Sequence, residues 1–339
     1  MRSRVIGAAL LGLGVLALVF AAGLAFIVGP RVAQLPYDLD RTQSIAEAPS
    51  ATFLQITEGE ATVEQGNLRS TITVQPDTDA TANLEGDLDG KAVVWLVGQE
   101  VIRVDNDDLI SAYSTALAVD RTTAAAQSWT GQWLDTGNNR QSVSYSGQIY
   151  KFPFGTEKKT YEIFDRDINA TRPANFVRTE KINGLETYEF TQEIRGERQE
   201  LPNDRLQILL SQLVPGAKSG EIVYNNTRTV WVEPTTGQYI KVREAQEKSL
   251  VGDNGESVKI LSAVFTYTDD TIKRSADTAS SNRQQLQTVR LWAPIGLAVL
   301  GVVLIVVAVM LSARRGRAGR HSRPAVEPVA PEEKATASP

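Results

Sequence analysis

The chain has 339 residues, with 35 Lys and Arg against 40 Asp and Glu for a formal net charge of −5, no cysteine, and one histidine, His321. This composition excludes disulfides, zinc sites built on Cys and His, and Ser–His or Cys–His nucleophiles in the rest of the chain. The net negative charge argues against a nucleic-acid partner, because such a partner requires clustered cations. We therefore predict no enzyme, no catalytic residue, no metal ligand and no cofactor.

Two long apolar runs lie near the ends of the chain. The first extends from Val5 to Gly29 and the second from Leu291 to Ala313, both without a charged residue. Since about 20 apolar residues cross the hydrocarbon core of a bilayer, we predict transmembrane helices at 5–29 and 291–313. The first run is longer than the apolar part of a signal peptide, although its Ala-rich end leaves cleavage open. A face of small residues on which the helices can pair recurs at Ala17, Ala21 and Ala25.

Cations flank both spans on one side. Residues 1–4 precede the first span and contain two arginines, and five more follow the second span, at Arg314, Arg315, Arg317, Arg320 and Arg323. The positive-inside rule places both groups in the cytoplasm. We therefore predict a two-pass protein of the plasma membrane with both termini cytoplasmic and residues 30–290 extracytoplasmic. The tail 314–339 is basic, then rich in Pro, Ala and Glu, and is predicted to be disordered.

The segment between the spans is predicted to be mainly β. Residues 30–50 are polar and contain proline, as expected of a connector. From 51 to 270, short runs rich in Val, Ile and Thr, such as "RSTITVQ", alternate with turns rich in Gly, Asn and Asp, which is typical of an antiparallel sheet. Residues 271–290 are predicted to form a polar helix or stalk. The predicted fold class is a membrane protein with a mainly antiparallel β (α+β) extracytoplasmic domain between two transmembrane α-helices.

Two stretches of the β-rich domain resemble each other. "ALAVDRTTAAAQSW" and "TVWVEPTTGQYIKV" share a strand, an acidic residue, a Thr-Thr turn and a returning strand. Either the domain consists of two similar halves, 51–140 and 141–270, or strand–turn–strand units match by chance. The second half carries a predicted helical insert at about 203–214, bounded by Pro202 and by Pro215-Gly216. Its many apolar residues indicate a helix that packs over the sheet or guards the mouth of an apolar cavity.

Carboxylates and tryptophans are the remaining residue types from which a functional site can be built. A pair of Asp or Glu can hydrolyse a glycosidic bond without any other residue type, so a carboxylate-dependent glycan enzyme stays open as an alternative. The cluster "DNDD" at Asp105–Asp108 lacks the spacing of a calcium loop and is typical of a solvated turn. Trp129 and Trp133, in "WTGQW", either stack on a sugar ring or pack in the core.

The stretch "KFPFGTEKKTYEIFD", residues 151–165, places cations and aromatic residues around a turn. One interpretation is a junction between strands that packs the two halves together. The other is a contact for anionic lipid head groups or phosphoinositol glycolipids, with lysines on phosphate and aromatic rings at the acyl boundary. The candidate contacts for an anionic lipid or a glycan are Lys151, Phe154, Lys158, Lys159, Tyr161, Trp129 and Trp133.

Three stretches carry a family resemblance: "YKFPFGTEKKTYEIFD", "INGLETYEFTQEI" and "RTVWVEPTTGQYIKV", all between two terminal spans. Nearly the whole chain resembles an actinobacterial family of membrane proteins named porin PorA. The resemblance implies an envelope protein of mycolate-bearing Gram-positive bacteria with a role in building or maintaining the envelope. It implies no catalytic residue.

The leading functional hypothesis is a non-enzymatic accessory protein of cell-envelope biogenesis. Its extracytoplasmic domain would bind or present a lipid or lipoglycan precursor, with lipomannan and lipoarabinomannan maturation as the pathway. The alternative is a membrane scaffold that recruits envelope biosynthetic proteins. Pore formation is less favoured, because outward strand positions carry charge, as in "YEFTQEIRGER", whereas a transmembrane barrel needs an apolar outer face.

Overall fold

The computed structural model describes residues 2–137 and 139–318, with side chains described for 5–137 and 139–313. His321 and most of the tail predicted to be disordered lie outside the described residues. The chain forms two compact units. The helical unit consists of the residues up to Val32 and from Gln287 onward, and the sheet unit is Ala33–Leu286.

The described residues form six α-helices and thirteen strands, numbered in chain order. The helices are α1 (Arg2–Gly23), α2 (Gly29–Val32), α3 (Thr78–Ala82), α4 (Asn203–Leu213), α5 (Asp269–Gln287) and α6 (Ala293–Ala318), with π-helical turns at Leu24–Val28 and Thr288–Trp292 and a 3-10 turn at Gly86–Leu88. The strands are β1 (Thr42–Thr57), β2 (Glu60–Pro76), β3 (Ala92–Arg103), β4 (Leu109–Asp120), β5 (Ala126–Gln127), β6 (Trp133–Asp135), β7 (Arg140–Gln141), β8 (Tyr161–Asp165), β9 (Ala170–Ile182), β10 (Leu185–Gln199), β11 (Gly220–Glu233), β12 (Gln238–Gly252) and β13 (Ser257–Tyr267).

Two helical stretches are long and apolar enough to cross a membrane. They are Val5–Val32 and Asp269–Ala313, with mean hydropathies of 2.7 and 3.0 in their most apolar windows. The second stretch begins with the polar helix α5 and becomes apolar in α6. Together with the antiparallel sheet between them, the two stretches confirm the predicted fold class of a membrane protein with a β-rich domain.

Within the helical unit, α1 and α6 pack through small residues. A Cβ added at Gly14 would lie 2.8 Å from the carbonyl oxygen of Gly301, and one added at Gly301 would lie 2.8 Å from the carbonyl oxygen of Gly14. The two backbones therefore touch at this pair, as small residues permit in membrane helices. Ala17 and Ala21 of the predicted small face are buried. Ala25 is more exposed, and it lies in the π-helical turn Leu24–Val28, where the four-residue spacing of a helix face is interrupted.

The sheet unit contains one antiparallel sheet. The strand order is β7-β6-β4-β3-β2-β1-β13-β12-β11-β10-β9-β8, with β5 paired to β4 beside β6. The order places the first strand against the last one, so that the two ends of the domain meet in the middle of the sheet.

Gly147 and Gln148 join the two ends of this sheet. Gly147 accepts a backbone hydrogen bond from Ala126 of β5 at 2.8 Å, and Gln148 exchanges hydrogen bonds with β8 through Glu162 and Phe164 at 2.7 and 2.8 Å. The strands therefore form a closed ring with an interior and an outer face. Gly147 has φ +65°, and a Cβ there would lie 2.6 Å from the Glu162 carbonyl oxygen. Only glycine fits this position without strain.

The two turns matched in the sequence have the same hydrogen bonds. Asp120 accepts from the backbone of Thr122 and Thr123, two and three residues later. Glu233 accepts in the same way from the backbone of Thr235 and Thr236. Around the ring, β3, β4 and β5 follow one another as β10, β11 and β12 do. The two turns thus share their hydrogen bonding and their neighbouring strand order, and the division into halves at 51–140 and 141–270 stays a prediction.

The interior has a polar layer between two apolar layers. Along β11 the inward side chains pass from Ile222 through Tyr224, Asn226 and Arg228 to Val230 and Val232. The sequence predicts a helix at about 203–214, and α4 is observed there. Its Leu206, Leu209 and Leu210 pack against Ile222, Leu250 and Ile260, so α4 covers one end of the interior. Phe152, Phe190 and Tyr239 fill the region of Val230 and Val232.

The first strand begins at Thr42, inside the segment 30–50 that we predict as a connector. Its side chains that face the interior are Ser44, Ala46 and Ala48, which are too small to give an apolar signal. Pro49 also argues against a strand, but it lies where the register with β2 shifts between Ala48 and Ala51. Such irregular positions tolerate proline because they lack a ladder hydrogen bond.

Candidate functional site

A cavity of about 240 Å³ lies inside the closed sheet. Side chains from β1–β4 and β11–β13 surround it, together with Phe164 and Asp165 of β8 and residues that precede or follow β8. Part of its wall is apolar, including Leu68, Ile72, Val101, Val230, Val242 and Phe265, and part is charged, including Asp165, Arg166, Asp167, Arg228, Glu244 and Lys248. The cavity therefore offers both an apolar and a strongly polar surface to one molecule.

Arg228 is the centre of the charged wall. Its guanidinium donates to Asp165 Oδ2 at 3.0 Å, to Glu244 Oε1 at 2.7 Å and to Gln192 Oε1 at 2.9 Å. The Arg228 side chain is 15% exposed and that of Asp165 is 2% exposed. Three acceptors on three strands thus hold the cation in one orientation, as a buried ion pair requires.

A second group of charges continues the wall. The Asp167 carboxylate lies 2.9 Å from Lys248 Nζ and 3.3 Å from an Arg166 nitrogen, and it accepts from Gln199 at 3.0 Å. The Arg166 guanidinium lies 4.2 Å from the centre of the Tyr113 ring, within range of a cation–π contact. The wall thus contains three acidic and three basic side chains, all paired with one another.

The two aspartates of the wall differ in acidity. Burial raises the pKa of Asp165, and this effect exceeds the opposing effect of Arg228. Burial also raises the pKa of Asp167, but Lys248 and Arg166 outweigh it and lower that pKa to about 2. Asp167 is therefore ionised throughout the physiological range, whereas Asp165 is the carboxyl that protonates first.

Asn226 supplies a hydrogen-bond acceptor without a partner. It lies on the interior face of β11 next to Arg228 and is 2% exposed. Its amide nitrogen donates to Glu244, whereas its Oδ1 has no hydrogen-bond partner among the described residues. An unpaired buried acceptor costs about 1–3 kcal/mol, so a donor brought into the polar layer has a favourable position to occupy.

The segment 152–156 lies along both matched turns. Phe152 donates to the Gly237 carbonyl at 2.8 Å and Thr156 to the Pro234 carbonyl at 2.7 Å. Phe154 donates to the carbonyl of Thr122 in the other turn at 3.3 Å. Residues 152–156 thus form a junction between the two matched turns.

Lys151 and Phe154 contact each other beside this junction. Lys151 Nζ donates to the Phe152 carbonyl at 2.9 Å and lies 3.6 Å from the centre of the Phe154 ring. Burial lowers the pKa of Lys151 to about 7, with Glu233 opposing. The Lys151 amine is thus partly enclosed and only partly protonated at neutral pH.

Lys158 and Lys159 are exposed, and Tyr161 is half-buried. Lys158 Nζ is 4.9 Å from the centre of the Tyr188 ring. Lys159 Nζ pairs with Glu157 Oε2 at 2.6 Å, and the Tyr161 hydroxyl accepts from the Glu157 backbone at 2.9 Å. Lys158 therefore remains available to an anion, whereas Lys159 is already paired with a carboxylate.

The two tryptophans occupy different surroundings. Trp129 packs against a cluster that includes Leu84 and Val94. Trp133 lies on β6, with the Arg140 guanidinium 4.0 Å from its ring centre. Neither tryptophan, and none of the other candidate contacts predicted from the sequence, lines the interior cavity.

Sequence reasoning missed the charged wall, although one signal for it exists. In "YNNTRTVWVE" the apolar Val230 and Val232 indicate the inward side, and the period of two then places Asn226 and Arg228 on the same side. The partners Asp165 and Glu244 are far away in sequence, so the pairing itself has no local signal.

Known proteins resemble this chain over most of its length. A family model described as Porin PorA matches residues 6–310. Porin PorA from Corynebacterium amycolatum is 24% identical over 376 residues, covering 90% of this chain and 97% of the relative. Porin PorA from Corynebacterium resistens is 22% identical over 311 residues, covering 69% of this chain and 75% of the relative.

Proposed function

The chain belongs to the Porin PorA family, and from that premise we propose that it is a membrane-anchored binding protein of the cell envelope. In this proposal the closed sheet holds part of an amphipathic molecule, a lipid or lipoglycan precursor, and the two apolar helices keep it at the membrane. The protein performs no catalysis of its own. It binds the precursor and presents it to the enzymes that use it.

The observation that carries the proposal is the cavity with one apolar and one charged wall. Ligand sites are concave and mostly apolar, with a few polar groups that fix orientation. At about 240 Å³ the cavity has the volume of roughly eight water molecules at ~30 Å³ each. That volume accommodates one polar group with a short apolar segment, so most of a lipid or lipoglycan would remain outside, accessible to a partner.

The ion pairs of the wall already engage its carboxylates, and Asp167 in particular does not suit acid–base catalysis. Arg228 holds two of the carboxylates at 3.0 and 2.7 Å. Lys248 and Arg166 lower the pKa of Asp167 to about 2, which makes it a weak base. A general acid or base works best with a pKa near the working pH.

The test is the yield of lipid that co-purifies with the full chain. The protein is expressed in a mycolate-bearing host, transferred to nanodiscs of synthetic lipid, extracted with organic solvent and analysed by mass spectrometry. Ala46 lines the cavity, so Ala46→Leu fills it and is expected to remove the specific lipid. Ala245 lies on the outer face of β12, and Ala245→Leu is the matched control.

An equal yield from Ala46→Leu, or no specific lipid from the unchanged chain, contradicts the proposal. The scaffold alternative predicts a different result: crosslinks to envelope synthases in native membranes that persist in Ala46→Leu. Both experiments use the same two variants, so their outcomes can be compared directly.

Pore formation is a second candidate, favoured by the name of both relatives. Among the described residues, exposed large apolar side chains are concentrated in the helical stretches, whereas the sheet unit shows only scattered ones such as Ile56, Leu109 and Val177. A pore would therefore be built from helices of several copies. Stepwise currents across a planar bilayer, unchanged in Ala46→Leu, would favour the pore and count against the cavity proposal.

A further inference from the structure

A groove of about 680 Å³ crosses the outer face of β1–β4. Its floor comes from side chains that point away from the interior, such as Thr73 of β2, which pairs with Gly98 of β3. Trp133 and Arg140 line it from β6 and β7. The groove and the interior cavity therefore lie on opposite faces of the same strands, and the volume of the groove is in the usual range of ligand sites, about 300–1,000 Å³.

Gly98 lies in the middle of the groove floor, and the fold does not require a glycine there. Its φ is outside the left-handed region, and a Cβ at this position would have no heavy atom within 4 Å. Its pairing partners Thr73 and Ser114 are also small. A glycine inside a strand weakens the strand and often marks the close approach of a ligand.

The polar side chains of the floor are free to bind. Six of them make no hydrogen bond or ion pair within the described part of the chain: Gln43, Thr71, Thr73, Gln75, Glu100 and Ser114. By contrast, Gln99 on the opposite face of the same strand donates to Ser70 at 2.7 Å. The groove thus presents hydroxyl, amide and carboxylate groups in rows set by the strand spacing, about 4.8 Å apart.

Trp133 gives the groove an aromatic wall. The indole is half-buried, with the Arg140 guanidinium 4.0 Å from its ring centre. Charge along the groove is mixed, since Arg41 and Arg140 are balanced in part by Glu100. The Glu100 carboxylate would repel a strongly anionic ligand. The mostly polar floor would not suit the apolar chain of a lipid.

We propose that this groove binds a neutral saccharide chain. Sugar hydroxyls match rows of hydroxyl and amide side chains, and the apolar face of a sugar ring matches an aromatic wall. Gly98 and its small neighbours admit the ring close to the strand backbone. The groove is separate from the interior cavity, so saccharide binding in the groove does not depend on lipid binding in the cavity.

Titration of the full chain with neutral hexasaccharides tests this site. The chain is placed in nanodiscs, which avoids maltoside detergents whose head groups are sugars. The probes are mannohexaose, maltohexaose and cellohexaose, with inositol hexakisphosphate as the anionic comparison, followed by calorimetry and saturation-transfer NMR. At least one hexasaccharide is expected to bind.

Three variants are expected to affect this binding. Gly98→Leu adds atoms only into the groove and is expected to abolish it, while Trp133→Ala is expected to weaken it about tenfold. Thr73→Val removes a hydroxyl while keeping the side-chain shape and is expected to weaken binding several-fold. Thr227→Leu, on the outer face of β11 away from the groove, is the matched control and is expected to change nothing.

Two results would overturn the proposal. The first is that no hexasaccharide binds the unchanged chain, or that only inositol hexakisphosphate does. The second is that Gly98→Leu, with an unchanged circular dichroism spectrum, binds as tightly as Thr227→Leu. Because Gly98→Leu removes no existing contact, a folded variant is expected, and its binding decides the question.

Discussion

Arg228 on β11 donates to Asp165 at the end of β8 across 63 residues of sequence, at 3.0 Å. The same guanidinium reaches Glu244 on β12. One buried cation thus connects strands from different parts of the ring, and its partners line the cavity. The stability of the sheet unit and the chemistry of the proposed site therefore depend on the same side chain.

Arg228→Met is expected to destabilise the sheet unit by about 3–5 kcal/mol, because it leaves two buried carboxylates without their cation. Chemical denaturation of the full chain, followed by tryptophan fluorescence, measures the loss. Arg195 pairs with Glu193 on the exposed surface, and Arg195→Met is expected to cost about 1 kcal/mol or less. Equal losses of unfolding free energy in the two variants would show that the buried ion pairs stabilise the fold no more than an exposed pair does.

Acid is expected to weaken the fold through Asp167. Its folded pKa is lowered from 3.8 to about 2, so its contribution is complete above the unfolded pKa and is lost as pH falls through about 2. Asp167→Asn should therefore lose about 2 kcal/mol less stability than the unchanged chain between pH 4 and 2. Glu186→Gln, at an exposed position, is the control and should follow the unchanged chain. Parallel pH profiles for Asp167→Asn and the unchanged chain would refute the assignment.

Gly147→Ala is expected to open the ring. The substitution forces a Cβ to 2.6 Å from the Glu162 carbonyl oxygen at φ +65°. Gly184→Ala is the matched control, since that glycine has φ +81° but open space around it, so only the backbone cost of about 1–2 kcal/mol applies. Hydrogen exchange at Ala126, Gln148 and Phe164 should accelerate in Gly147→Ala alone. Unchanged exchange at these amides would mean that the closure tolerates a side chain.

The contact between Gly14 and Gly301 is expected to control helix pairing. The chain has no cysteine, so Gly7→Cys with Ser312→Cys introduces one crosslink, at positions where a Cβ on Gly7 lies 3.6 Å from Ser312 Oγ. Adding Gly14→Leu should lower the yield of this disulfide in membranes. Adding Gly12→Leu should not, because a Cβ there has no neighbour within 4 Å. Equal yields would place the pairing face elsewhere.

Single cysteines also test the predicted topology. Glu186→Cys should react with a membrane-impermeant maleimide in intact cells, since the sheet unit is predicted to be extracytoplasmic. Ser338→Cys in the tail should react only after the cells are opened. The reverse pattern would contradict the positive-inside assignment.

The sequence predicts the helices and the existence of most strands, because apolar length and Val/Ile/Thr runs are local signals. The closure of the sheet has no such signal, since it rests on backbone hydrogen bonds of Gly147 and Gln148. The strand Thr42–Thr57 lies in part where the sequence predicts a connector, because its inward side chains are small.

In the candidate site, too, the sequence predicts local features but not contacts between distant strands. The sequence predicts Lys151 and Phe154 as contacts from their residue types, and they do contact each other, yet they lie beside the junction between the two turns. Arg228, Asp165 and Glu244 form the charged wall only because distant strands bring them together. Residue types can be read from a sequence, whereas a constellation that depends on long-range pairing cannot.

The pairing of β1 with β13 determines when this domain can finish folding. Ala46 lies opposite Tyr267, so the N-terminal strand keeps an open edge until nearly the whole domain has been synthesised. Exposed strand edges template aggregation, and contacts this distant in sequence form slowly. Until β13 has been made and paired, the free edge of β1 can therefore pair with another chain unless a chaperone covers it.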